Sequence, residues 1–203
     1  MKSLFFLTGV LLILSPIFSQ TTKSEWSLAK RQNEVEISYR WIYLNNNTKI
    51  RQMKMEFFID TDINSILKQF TNSSNLKKWQ NLAEECEISK SSNNQWNTYM
   101  RFDLPWPLKS KDLILTNQLV ESEKYTSILM KSMPKSKPII EDVNRINSLE
   151  SEWRFTPKKD GKTKVVYTTL TYDKPEFPRS LTDPIIQKQL FQSIELLKKY
   201  AQL

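Results

Sequence analysis

The chain is 203 residues long, carries a formal net charge of +8 and contains no histidine. That absence excludes the Ser-His-Asp and Cys-His constellations and the usual histidine ligand sets of catalytic zinc and facial-triad iron. Cys86 is the single cysteine, and Gly9 and Gly161 are the two glycines, so an internal disulfide, a structural zinc site and a glycine-rich phosphate cradle are excluded too. No metal and no cofactor are therefore expected. The basic residues are spread along the chain rather than gathered into a stripe with stacking aromatics, so nucleic acid is not an expected partner.

Residues 1–19 read as a secretory signal peptide. Met1 and Lys2 give a positive start, and Leu4 to Leu14 is nearly unbroken apolar sequence. Ser15 and Pro16 end the run, and Ser19 is the small residue before an expected cut at Ser19–Gln20. The run is short for a bilayer-spanning helix; an uncleaved amino-terminal anchor is the competing reading. No cysteine follows it, which argues against a lipid-anchored lipoprotein. Residues 20–203 are then expected to form one exported bacterial domain, periplasmic or extracellular, long enough to bury its own core.

Residues 20–33 read as a lead-in, with Trp26 and Leu28 docking on the body. Val35 to Leu44 alternates as a strand, with Val35, Ile37, Tyr39, Trp41 and Tyr43 on one face. Lys49 to Ile59 is its return partner across Asn45–Asn46–Asn47. Asp60–Thr61–Asp62 supplies N-cap candidates for a helix whose Ile63, Ile66, Leu67 and Phe70 recur at helical spacing. Thr71 to Asn75 interrupts it, and Leu76 to Leu82, carrying Trp79, is expected as a short helix or turn. Glu84 to Lys90 and Gln95 to Asp103 read as strands around a turn over Ser91 to Asn94. The second places Trp96, Thr98, Met100 and Phe102 on one face and Asn97, Tyr99 and Arg101 on the other.

Pro105 and Pro107 end that strand, because neither can donate to a ladder. Asp112 to Ser122 and Tyr125 to Met133 are further strands, followed by a basic loop over Pro134 to Pro138. Asp142 to Pro157 contains the next strand, with Leu149, Trp153 and Phe155 in phase. A turn over Lys158 to Lys162 leads to Lys164 to Tyr172, rich in Val, Tyr and Thr. Lys174 to Arg179 is a proline-studded loop. Asp183 and Pro184 read as cap and first position of a long helix carrying Ile186, Leu190, Ile194, Leu197 and Ala201, with Phe191 beside them. The order predicts an α+β fold: a curved antiparallel sheet wrapped around a long carboxy-terminal helix.

This order and several local motifs resemble the START domain of the wider helix-grip or Bet v 1-like superfamily. The most specific segment is Leu104-Pro105-Trp106-Pro107-Leu108-Lys109-Ser110-Lys111-Asp112. It looks like the family's tryptophan–proline–leucine segment leading to an arginine–aspartate pair. Lys111 stands at the arginine position and keeps the charge without the bidentate fork. Ile63 to Phe70 with Leu76 and Trp79 resembles the first helix and its trailing tryptophan. Trp153 to Pro157, Gly161 and Val165 to Tyr172 resemble the penultimate hairpin, and Phe177–Pro178 the loop before the terminal helix, here without the family's glycine. The resemblance spans about residues 30–200.

It implies a cavity between sheet and terminal helix for a lipid or other hydrophobic small molecule. Trp96, Met100, Phe102, Leu115, Met130, Trp153, Tyr167, Phe191 and Ile194 are the candidate ligand-binding residues, and Pro175, Phe177 and Pro178 belong to an entrance loop over its mouth. The same residue types fill an ordinary core equally well. Arg101, Asp112, Arg154 and Tyr167 are the polar candidates, although strand phase puts Arg101 and Arg154 on the outer face. The expected function is non-catalytic binding or transport by a monomer in transient contact with membranes, with no catalytic residue assigned. The alternatives are an aromatase- or cyclase-like enzyme of the same superfamily, using Asp112, Glu152 or Tyr167, and a cavity-poor interaction module.

Overall fold

The computed structural model describes residues 22–44 and 48–203. The expected signal peptide over 1–19 and the turn over 45–47 lie outside the described residues. The strands β1 (Thr22–Lys23), β2 (Ser27–Gln32), β3 (Val35–Tyr43) and β4 (Lys49–Ile59) are followed by helices α1 (Ile63–Thr71) and α2 (Ser73–Trp79). Next come β5 (Ala83–Lys90), β6 (Gln95–Phe102), β7 (Lys111–Glu121) and β8 (Thr126–Ser132). The two-residue β9 (Asn144–Arg145), β10 (Leu149–Pro157), β11 (Thr163–Thr171) and helix α3 (Arg179–Ala201) complete the described elements.

The strands form one sheet in the order β1-β3-β4-β11-β10-β8-β7-β6-β5, with β2 also on β3 and β9 on β7. All pairs are antiparallel except β7 with β9. The residues expected as a lead-in are thus strands β1 and β2, which share the outer edge of β3. An open edge offers unpaired donors and acceptors, and these short strands satisfy them. Asn33 and Glu34, both at positive φ, make the tight turn from β2 to β3. Of the two residues expected to dock, Trp26 lies beneath Arg40, 4.2 Å from the guanidinium carbon, whereas Leu28 is exposed.

The helix starts follow their caps. Asp62 accepts from the Ser65 amide at 3.1 Å to open α1. Asn72 accepts from the Asn75 amide at 3.0 Å, so α2 begins at Ser73, ahead of the expected start at Leu76. The terminal helix starts five residues earlier than Asp183–Pro184 suggests: Pro178 is its N-cap residue and Pro184 lies inside the helix. Asp183 does not cap, because both its carboxylate oxygens are taken by Arg51 on β4.

The concave face of the sheet meets the helices around an aromatic cluster. Phe70 sits 5.1 Å from Trp79, 5.0 Å from Trp153 and 5.8 Å from Phe155, centroid to centroid. Trp79 donates its indole N–H to the Gln69 carbonyl, which pays the polar cost of burying it. Phe191, Ile194, Leu197 and Ala201 bury one stripe of α3 against this core. The helix packs on α1 and α2 at that end. Towards its amino-terminal end it stands off the sheet, and a cavity opens beneath it.

Candidate functional site: a cavity under the terminal helix

The cavity has a volume of about 930 Å³ and is lined by the concave faces of β4, β6, β7, β10 and β11, by α3 and by the loops at one end of the sheet. That size falls near the top of the range of roughly 300–1,000 Å³ common for small-molecule sites. Strand alternation decides the lining. Trp96, Thr98, Met100 and Phe102 point in from β6, and Leu113, Leu115 and Asn117 from β7. Ser151 and Trp153 follow on β10, with Tyr167 and Thr169 on β11. Trp153 and Tyr167 stack across the strands at 4.4 Å between ring centroids.

The structure therefore places Trp96, Met100, Phe102, Leu115, Met130, Trp153, Tyr167 and Ile194 on the cavity wall. Phe191 is not there. It follows the buried stripe of α3 into the core, at 2% exposure, while Leu190 takes the cavity side. One residue is a 100° step on a helix, enough to exchange core for cavity. In the entrance loop Pro175 and Phe177 line the mouth; Pro178 does not, being spent as the N-cap position of α3.

The polar candidates separate. Arg101 lies on the outer face against Glu84 and Glu85. Arg154 lies there too, bonded to Glu152 and stacked on Tyr125. Glu152 also accepts from Ser127 at 2.7 Å and is not part of the cavity wall. Tyr167 is inside, and burial raises its phenol above the ordinary value. Asp112, 1% exposed, accepts from Arg145 Nε at 3.0 Å and Nη2 at 2.5 Å. Cys86 on β5 is half-buried, its thiol pushed up to about 11 by burial, which suppresses the thiolate.

Arg145 is the residue that sequence reasoning misses. It sits on β9, an element too short to leave a periodic signal. Besides Asp112, its guanidinium donates to the carbonyls of Pro134, Lys137 and Pro138 at 2.6–2.9 Å. The five bonds fix the loop over 133–143, whose Ile139 and Val143 form part of the cavity wall. Lys111 holds the opposite lip: its ammonium is 2.5 Å from Glu176 in the entrance loop, and Asn144 donates to the same carboxylate oxygen at 3.1 Å. Beyond this rim Trp106 and Ile139 are 87% and 80% exposed.

A third polar group lies where β4 faces the first turns of α3. Arg51 makes a bidentate pair with Asp183, both bonds 2.6 Å. Its guanidinium carbon lies 3.9 Å from the ring of Tyr39. Gln187 donates to the Tyr39 hydroxyl at 3.2 Å. Arg179 stands beside them on the cavity wall.

No protein-family model matches the chain. An uncharacterised protein of Pseudomonas aeruginosa is 23% identical over 181 residues, covering 88% of this chain and 87% of that one. Among solved structures, the STAR-related lipid transfer protein of Xanthomonas axonopodis aligns with a TM-score of 0.75 at 16% identity, over 88% of this chain and 99% of that one. Human StAR-related lipid transfer protein 5 gives 0.69 at 13% identity, over 87% and 86%. The Zhui aromatase/cyclase of Streptomyces sp. R1128 gives 0.56 at 10% identity, over 75% and 94%. The chain has the START-like helix-grip fold, an α+β fold with a curved antiparallel sheet around a long terminal helix.

Proposed function

We propose that this protein binds a lipid or similar apolar molecule reversibly in the cavity under α3 and carries it between membranes outside the cytoplasm. The observation that supports this most is the cavity itself: about 930 Å³ walled by Trp96, Met100, Leu115, Met130 and Trp153, with polar groups confined to a few positions. Burying an aliphatic chain there contributes about 0.8 kcal/mol per methylene. The likeness to lipid-transfer structures supports the same reading. Among the three groups an enzymatic reading would use, Asp112 is committed to Arg145 and Glu152 is off the wall, which favours binding over catalysis.

Transient membrane contact belongs to this proposal. Trp106 and Ile139 project at the cavity rim; Lys109 and Lys135 stand on the same loops, and Lys174 on the entrance loop. An exposed tryptophan and lysines at one rim suit the interface of an anionic bilayer. The experiment is to purify the mature protein, extract it and identify bound species by mass spectrometry, then measure uptake of lipid from vesicles. A stoichiometric apolar ligand is the expected result. A protein that arrives empty and takes up nothing overturns the proposal.

A further inference from the structure

The cavity wall carries more positive charge than its own acids neutralise. Arg51 is matched by Asp183, Lys111 by Glu176 and Arg145 by Asp112. Of the other charged groups on the wall, Asp173 accepts from the Asn147 and Ser148 amides and Lys174 is exposed on the entrance loop, which leaves Arg179. Among the described residues it makes no hydrogen bond or ion pair, and it lies 5.7 Å from the ring of Trp41. It is half-buried on the first turn of α3, and its side chain lines the cavity beside Arg51. Burial and the nearby Arg51 charge work against its protonated form, and Asp183 and Tyr39 offset them only in part. Its five N–H donors make no bond to the described residues and face the cavity, where an anionic group could meet them.

We infer that the cavity takes an amphipathic molecule with an anionic head, a carboxylate or a phosphate, and that Arg179 receives that head beside the Arg51–Asp183 pair. This rests on the reading that the cavity holds a lipid. The apolar tail would then run past Met53 and Met55 towards Trp153, away from the charged end. The side chains around the head position are already ordered. Tyr39 lies against the Arg51 guanidinium, and the bidentate Asp183 keeps Arg51 from folding over Arg179. The planar fork of Arg179 suits a carboxylate or phosphate better than the point charge of a lysine would.

The test compares two ligands with one tail. Oleate and oleyl alcohol are titrated into the delipidated mature protein at neutral pH, followed by the fluorescence of the cavity tryptophans. Oleate is expected to bind at least about tenfold tighter, the usual scale of a charge-assisted pair. Arg179→Gln is expected to bring the two affinities together, and Arg179→Lys to restore most of the difference. Thermal melting of each variant establishes that it is folded. Excess inorganic phosphate, which has the charge and no tail, is expected to leave oleate affinity within twofold. Equal affinities in the unmodified protein, or an unchanged ratio in Arg179→Gln, overturn the anionic head while the cavity reading stands. Strong competition by phosphate overturns the lipid source of the anion. Binding of neither ligand overturns both readings.

Discussion

Arg145 uses every one of its guanidinium donors, two on Asp112 and three on backbone carbonyls of the loop over 133–143. With 5% and 1% side-chain exposure, the pair is among the driest charges in the chain. Removing one partner strands the other in a low-dielectric site. Arg145→Met is therefore expected to cost about 3–5 kcal/mol in urea unfolding. The double variant Arg145→Met with Asp112→Asn is expected to recover part of that loss, because the orphaned carboxylate is gone. A single-variant loss below about 1 kcal/mol, the range of exposed pairs, would mean the ion pair is solvated. Asp112 stands out in the sequence because of the motif around it. Its partner lies 33 positions further on, and no local pattern announces a pairing at that distance.

At the scale of elements, caps were legible where the side chain had no competing partner. Asp62 opens α1 as its position suggests. Asn72 caps α2 in the same way, although the start expected from the sequence is Leu76. Asn72→Ala is expected to cost about 1 kcal/mol, read as a lowered melting temperature with the fold intact. Asp183 has the same local credentials and fails as a cap, since Arg51 claims it across the cavity. Gly161 marks the turn from β10 to β11 with φ of +82°, and a Cβ there would meet nothing within 4 Å. Gly161→Ala therefore reports backbone strain alone, and about 1–2 kcal/mol is expected from equilibrium unfolding. A neutral result would show that the turn relaxes to negative φ.

For the whole molecule, the pH response follows from carboxylates held in place by lysines. Glu176 is kept below its ordinary value chiefly by the hydrogen bond from Lys111, against a desolvation that would raise it. For Glu56, burial pushes upward, and the bonds from Lys54 and Lys164 more than offset it. A carboxylate lowered in the folded state stabilises above its unfolded value, here 4.5, and loses that contribution as pH falls through its folded value. The protein is thus expected to lose stability on acidification below about pH 4.5, with the entrance loop over 174–178 loosening first. Hydrogen exchange of that loop between neutral pH and pH 4 tests this. In Glu176→Gln the loop should exchange alike at both ends of the range, apart from the intrinsic pH effect, and persistence of the acid-induced loosening there would assign it to another group.

The sequence by itself determined the order of the longer strands and helices from β3 onward and the inward face of most of those strands. Alternation at period two and the helical spacing of Ile63, Ile66 and Phe70 are local properties, set by which side chains must leave water. It also excluded the constellations that need histidine or a pair of cysteines, since the chain has no histidine and one cysteine. Only the tertiary structure decided that β1 and β2 close the edge of β3, that Phe191 belongs to the core and Leu190 to the cavity, and that Asp183 serves Arg51 rather than its own helix. It also decided that Arg145 rivets the rim and that Arg179 pairs with no carboxylate among the described residues. Each of these is a choice between partners far apart in the chain. Such choices depend on which groups the fold brings within hydrogen-bond reach, and a local pattern does not encode that distance.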